Sequence, residues 1–87
     1  MLGTMPAAVK MLVFAGARDI VGVGELEVPL PAPCSAGELL AEVCRRFPGL
    51  APYGASLRMA VNGCYVTADN PVVAGDEVAL IPPVAGG

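Results

Sequence analysis

The residues with the most chemistry to offer stand together at the end of the chain. The string Ile81-Pro82-Pro83-Val84-Ala85-Gly86-Gly87 follows directly on the apolar stretch "GDEVAL". A carboxylate is a weak electrophile because its charge is delocalised. Joined to AMP as a mixed anhydride it acquires a good leaving group, and a sulfur nucleophile that displaces AMP leaves a C-terminal thiocarboxylate, a reactive sulfur donor. Such chemistry needs a chain end that can enter a narrow channel. Gly86 and Gly87 allow close backbone approach and unusual dihedrals. Pro82 and Pro83 have fixed φ and should project the tail away from the body of the protein. A stiff root lowers the ordering cost of docking. The plain alternative for a terminal Gly-Gly is a frayed end.

Other candidate groups are weaker. The sequence contains no histidine, so a nucleophilic Cys64 would lack a base, and a small buried cysteine is the expected state there. Three cysteines (Cys34, Cys44 and Cys64), widely spaced and without a C-x-x-C, do not make a zinc site or a disulfide framework and favour a reducing, cytoplasmic setting. Asp19, Asp69 and Asp76 fall in expected turns, where turn geometry accounts for them. Gly22-Val23-Gly24 lacks the full phosphate-binding fingerprint and no helix is expected to open from it.

The elements that must position the tail follow from periodicity. Val9–Ala15, "VKMLVFA", reads as a strand, and Gly16–Gly24 as a loop rich in glycine. Glu25–Leu30 alternates as a second, antiparallel strand, which Pro29 and Pro31 restrict to a sheet edge. Ser35 and Glu38 form a capping box, and Leu39, Leu40, Val43 and Phe47 then repeat at helical spacing. Glu42 faces Arg45 and Arg46 on the wet side, and Pro48-Gly49 ends the helix. Leu57–Asn62 is a strand, Asn62-Gly63 a type I′ hairpin turn, and Cys64–Thr67 the returning strand. Asp69-Asn70-Pro71 and Ala74-Gly75-Asp76 are turns, and Glu77–Ile81 is the last strand. This order gives an α+β fold, a ubiquitin-like β-grasp with a mixed sheet of about five strands and one main helix on one face. A right-handed crossover sets the last strand parallel to and beside the first.

Alternation then sorts the faces. Met11, Val13, Val78 and Leu80 point toward the helix, whereas Lys10, Leu12, Phe14, Glu77, Ala79 and Ile81 point away from it. Tyr65 is expected on that outward face too. Phe14, Tyr65 and Ile81 would form an exposed apolar patch beside the root of the tail, and such patches usually mark a partner surface.

Composition narrows the classes. The 87 residues, 55% of them hydrophobic, suit one domain: a flexible leader over 1–8, a folded body over 9–81 and an extended tail over 82–87. A net charge of -3 with no basic cluster argues against nucleic acid. No apolar run approaches the roughly 20 residues of a membrane span, and the leader does not read as a secretory signal.

The stretches "KMLVFAGARDIVG", "AVNGCYVTADNPVVAGDEVALIPPVAGG" and above all "GDEVALIPPVAGG" resemble the small, sulfur-carrying subunits of molybdopterin synthase. The resemblance covers nearly the whole chain from Val9 onward; "PAPCSAGELLAEVCRRFPGL" agrees in helix placement and is less diagnostic. It implies that a ubiquitin-activating-like adenylyltransferase uses ATP to adenylate the carboxylate of Gly87, and that a sulfurtransferase activity makes the thiocarboxylate. The charged subunit then donates sulfur to cyclic pyranopterin monophosphate in the large subunit, within a heterotetramer. Carried over position by position, Gly87 is the reacting residue and Gly86 its neighbour. Pro82, Pro83, Val84 and Ala85 line the channel, and Phe14, Tyr65 and Ile81 meet the large subunit. Family members are often bulkier at these patch positions, which makes Phe14 a firmer anchor than Ile81. No permanently bound cofactor or metal is implied, and the chain is not an enzyme on its own. Sulfur carriers for thiamin thiazole synthesis or tRNA thiolation would use the same Gly87 chemistry with another acceptor, while a ubiquitin-like modifier would join Gly87 to lysines.

Overall fold

The computed structural model describes residues 7–30 and 32–82. The leader up to residue 6, Pro31, and the tail residues Pro83, Val84, Ala85, Gly86 and Gly87 lie outside the described residues. Among the described residues, seven strands and two α-helices follow one another: β1 (Ala8–Val13), α1 (Ala15–Val21), β2 (Glu25–Pro29), β3 (Cys34–Ser35), α2 (Ala36–Arg46), a 3-10 helix (Pro48–Tyr53), β4 (Arg58–Val61), β5 (Cys64–Val66), β6 (Pro71–Val72) and β7 (Glu77–Ile81).

Five strands form one sheet in the order β2-β1-β7-β4-β5. β7 is central, parallel to β1 and antiparallel to β4, and the β1/β2 and β4/β5 pairs are antiparallel. β2 is an edge strand, as its Pro29 requires, because proline cannot donate to a ladder. The hairpin turn has Asn62 at φ 52 and Gly63 at φ 88, the left-handed pair that a type I′ turn demands. With α2 packed across one face, this is the β-grasp arrangement.

The core lies between α2 and the inner face of the sheet. Val9, Met11, Val13, Val28, Met59, Val61, Val78 and Leu80 face Ala36, Leu39 and Val43, and Leu50 and Val72 close the ends. Met11, Leu80 and Leu50 are completely shielded from solvent. Burial of each such side chain stabilises the fold by about 1.5–3 kcal/mol. The inward positions are the alternate residues of each strand, so the pattern Val9-Met11-Val13 and Val78-Leu80 registers the sheet on the helix.

The N-terminus of α2 is closed by the expected capping box. Ser35 Oγ accepts from the Glu38 amide at 3.1 Å, and the Ser35 amide donates to Glu38 Oε1 at 2.9 Å. Glu42 accepts from Arg45 Nη2 at 2.6 Å and Arg46 Nε at 2.7 Å on the solvent side, which holds its carboxyl down at about 2.

Four local expectations differ from the structure. The segment read as a loop over Gly16–Gly24 contains α1, and Asp19 therefore sits in a helix rather than a turn. The glycines at 16, 22 and 24 outweigh the helical signal in sequence. The tertiary context rescues it: Ala17 is buried and Val21, one turn on, packs against the core. Gly22, at φ 96, ends the helix with its N–H on the Arg18 carbonyl at 2.8 Å. Secondly, α2 ends before Pro48 as expected, but Pro48-Gly49 opens the 3-10 helix instead of closing a turn, with Pro48 at its first position. Thirdly, Pro71 leaves the expected turn to pair, with Val72, against Cys34 and Ser35 in a two-stranded ladder. Strands of two residues are too short to show alternation. Fourthly, β1 starts at Ala8, one residue inside the expected leader, and ends at Val13.

Candidate functional site

β7 is the last element before the tail, and its central position decides what surrounds the tail root. Its Ile81 lies opposite Arg58 of β4. On the other side the Phe14 amide donates to the Leu80 carbonyl at 3.3 Å, which carries the β1/β7 register one residue past Val13 and sets Phe14 beside Ile81. Ala15 then adopts φ 50, a left-handed conformation unusual for alanine, and turns the chain from the sheet into α1. Pro82, directly after β7, is half-buried.

The cross-strand registers arrange the outer face in rows. Nearest the tail stand Phe14, Ile81 and Arg58. The next row runs Glu25, Leu12, Ala79, Ala60 and Tyr65. Furthest from the tail are Glu27, Lys10 and Glu77. Phe14 is 47% exposed and Tyr65 67%, large values for aromatic side chains in a folded domain, while Leu12, Ala79 and Ile81 are half-buried. Phe14 and Tyr65 stand on strands three spacings apart, about 14 Å. Two alanines, Ala79 and Ala60, lie between them, so the apolar band is a shallow trough with an aromatic side chain at each rim.

Phe14, Tyr65 and Ile81 thus do share one face, but Tyr65 is not in the row of Ile81; Ala60 and Ala79 join them. The contributions of Ala60 and Arg58 were readable from the Asn62-Gly63 turn. A two-residue hairpin pairs Val61 with Cys64 and therefore Ala60 with Tyr65. Alternation then puts Arg58 on the same side.

Charge is distributed unequally along this face. At the far end Lys10 Nζ lies 3.7 Å from Glu25 and 3.9 Å from Glu77, half-exposed pairs worth at most about 1 kcal/mol each. At the tail end the exposed Arg58 has no carboxylate within 4.0 Å among the described residues.

Cys34 and Cys44 are poorly suited to a chemical role. Burial pushes the Cys34 thiol up, helped by the nearby Glu38 charge, and burial does the same to Cys44. Both stay protonated at neutral pH and are poor nucleophiles. Cys64 is exposed, contrary to the buried state expected from its type, because it opens the edge strand β5 immediately after the turn. Among the described residues no cluster of His, Cys, Asp or Glu could hold a metal ion, and no helix is long and apolar enough to cross a membrane.

Comparison with known proteins agrees with this geometry. The profile of the ThiS family matches residues 11–87. The chain belongs to the ThiS family. It is 34% identical over 84 residues to the molybdopterin synthase sulfur carrier subunit of Arabidopsis thaliana, covering 97% of this chain and 88% of that one. It is 38% identical over 81 residues to the protein of the same name from Escherichia coli strain K12, covering 91% and 99%. Among solved structures, a Pyrococcus furiosus protein provisionally named molybdopterin converting factor, subunit 1, superposes with a TM-score of 0.79 at 34% identity, covering 90% of this chain and 99% of that one.

Proposed function

We propose that this protein is the sulfur carrier subunit of a molybdopterin synthase. The carboxylate of Gly87 reacts with ATP on a ubiquitin-activating-like adenylyltransferase, giving the acyl-adenylate and pyrophosphate. A sulfide equivalent then displaces AMP and leaves the thiocarboxylate. In the large subunit the thiocarboxylate sulfur attacks a carbon of cyclic pyranopterin monophosphate and displaces the oxygen substituent it carries, and hydrolysis of the resulting thioester leaves the sulfur on that carbon and returns Gly87 as a carboxylate. Each turnover exchanges one oxygen of Gly87 for one sulfur delivered, and two deliveries complete a dithiolene. The chain supplies no acid, base or metal to these steps. Its work is to present the tail in the cytoplasm to two partners in succession, the second within a heterotetramer.

The observation that carries this reading is the placement of the tail root. Ile81 and Pro82 leave the central strand beside an outward apolar trough bounded by Phe14 and Tyr65. A partner seated on that trough receives the tail at its own surface. The names of the relatives support the same acceptor over thiamin thiazole synthesis or tRNA thiolation.

The test is intact mass spectrometry of the protein purified from cells that contain its activating enzyme, with fragmentation of the C-terminal peptide. One oxygen replaced by sulfur, confined to Gly87, is the expected result. A plain carboxylate despite active enzyme, or Gly87 joined to a lysine, would overturn the reading, the latter in favour of a ubiquitin-like modifier.

A further inference from the structure

The two edges of the main sheet are protected unequally. β2 carries Glu25, Glu27 and Pro29, the charges and proline with which edge strands commonly resist further pairing. β5, with Cys64, Tyr65 and Val66, has neither a charge nor a proline. In a two-residue hairpin the pairs Val61/Cys64 and Met59/Val66 exchange the ladder hydrogen bonds, so the Tyr65 N–H and C=O point away from β4 into the open.

Beside that edge, between β5 and the first half of α2, runs an open groove of about 450 Å³. Leu40, Leu57, Met59 and Val66 give it apolar walls. It is closed at one end where the Gly37 amide donates to the Ala68 carbonyl at 2.8 Å, so tightly that a Cβ on Gly37 would stand 3.1 Å from that of Ala68. Arg58 is the one charged residue among those lining the groove, and it has no carboxylate partner among the described residues. Arg58 and Tyr65 also belong to the outer face, so groove and trough are one continuous surface around the β5 edge.

We propose that this groove receives an extended segment of the large subunit, added to β5 as a sixth strand and carrying a carboxylate that pairs with Arg58. The inference rests on the carrier reading above and deepens it. The Tyr65 N–H and C=O supply the main-chain pairing, and the apolar walls accept alternate side chains of a segment about three residues, or roughly 10 Å, long. Arg58 selects for an acidic residue and, standing opposite Ile81, clamps the partner at the root of the tail. β2 offers no equivalent, so the partner approaches from one side only.

The whole chain and its Arg58→Glu, Arg58→Lys and Phe14→Ala variants are titrated calorimetrically with the cognate large subunit at low and high salt, and amide hydrogen exchange is followed in the wild-type complex. Arg58→Glu is expected to weaken binding by about tenfold or more at low salt and less at high salt, with Arg58→Lys close to wild type. The Tyr65 amide is expected to exchange more slowly in the complex by about tenfold or more. Unchanged affinity in Arg58→Glu, or a Tyr65 amide that exchanges at its free rate in the complex, would overturn the groove proposal. If Phe14→Ala still weakens binding in that case, the carrier reading stands without it. Failure of the wild-type chain to bind the large subunit would overturn both.

Discussion

At the scale of single residues, Asp76 ties together the end of the sheet opposite the tail. Its carboxylate accepts from the Val73 amide and from Asn62 Nδ2, each at 3.0 Å, while Asn62 Oδ1 accepts from the Glu77 amide at 3.0 Å. One side chain thus links the β4–β5 turn to the turn before β7. The Val73 and Asn62 hydrogen bonds hold the Asp76 carboxyl below its usual value of 3.8. A depressed folded value means that the ionised form stabilises the fold above the unfolded value, and that this contribution fades as pH falls through 3.8 toward the folded value. Wild type is therefore expected to be more stable than Asp76→Asn near neutrality, with the gap closing as the pH is lowered below 4. Thermal melts of both proteins across the acid range measure this, and a gap independent of pH would show that the charge is not responsible. Asp69, lowered by the Thr67 hydroxyl, and Glu42, lowered by Arg45 and Arg46, are exposed groups whose shifts have the same sign, and salt weakens the ionic one at Glu42.

At the scale of elements, the two helices differ in how they are specified. α2 has its signals in sequence: a reciprocal capping box, an apolar stripe through Leu39 and Val43, and two arginines in the last turn. Ser35→Ala removes the side-chain acceptor for the Glu38 amide and should cost about 0.5–2 kcal/mol. In a domain of this size that lowers the melting temperature by about 4–8 °C per kcal/mol. Differential scanning calorimetry decides it; an unchanged midpoint would mean that packing alone holds the helix start. α1 is the opposite case. It has no side-chain cap, begins at a left-handed Ala15, and is held by burial of Ala17 and by the Gly22 closure. Its signal is a single i, i+4 pair, Ala17 and Val21, among glycines. That is why Phe14 is legible in sequence as an outward strand residue, while the helix that turns the chain away behind it is not.

At the scale of the whole molecule, the core and the residue proposed to react are far apart in sequence. Among the described residues, every member of the buried cluster lies between Val9 and Leu80. Deleting Gly87 is therefore expected to leave thermal unfolding unchanged within error while abolishing sulfur incorporation at the chain end. Loss of folding in that deletion, seen by circular dichroism, would mean that the tail contributes to the body of the protein. The face proposed for docking is distinct from the core, since Leu12, Phe14, Ala79 and Ile81 alternate with the core residues Met11, Val13, Val78 and Leu80.

What the sequence by itself determined is whatever is encoded within a few residues along the chain. The alternation of β1 and β7, the Ser35–Glu38 cap, the left-handed Asn62-Gly63 turn and the glycine end all have causes inside a window of about four residues, where sterics and local hydrogen bonds act. Only the tertiary structure decided which strand lies on the far side of β7. Placing β7 between β1 and β4 brings Arg58 opposite Ile81 and moves Tyr65 to the far rim of the trough. It also exposes Cys64 at an unguarded edge, pairs Cys34-Ser35 with Pro71-Val72, and supplies the core contact that makes α1 a helix. Those outcomes join residues tens of positions apart. They depend on burying one apolar face against α2, a requirement of the whole chain that no short segment expresses.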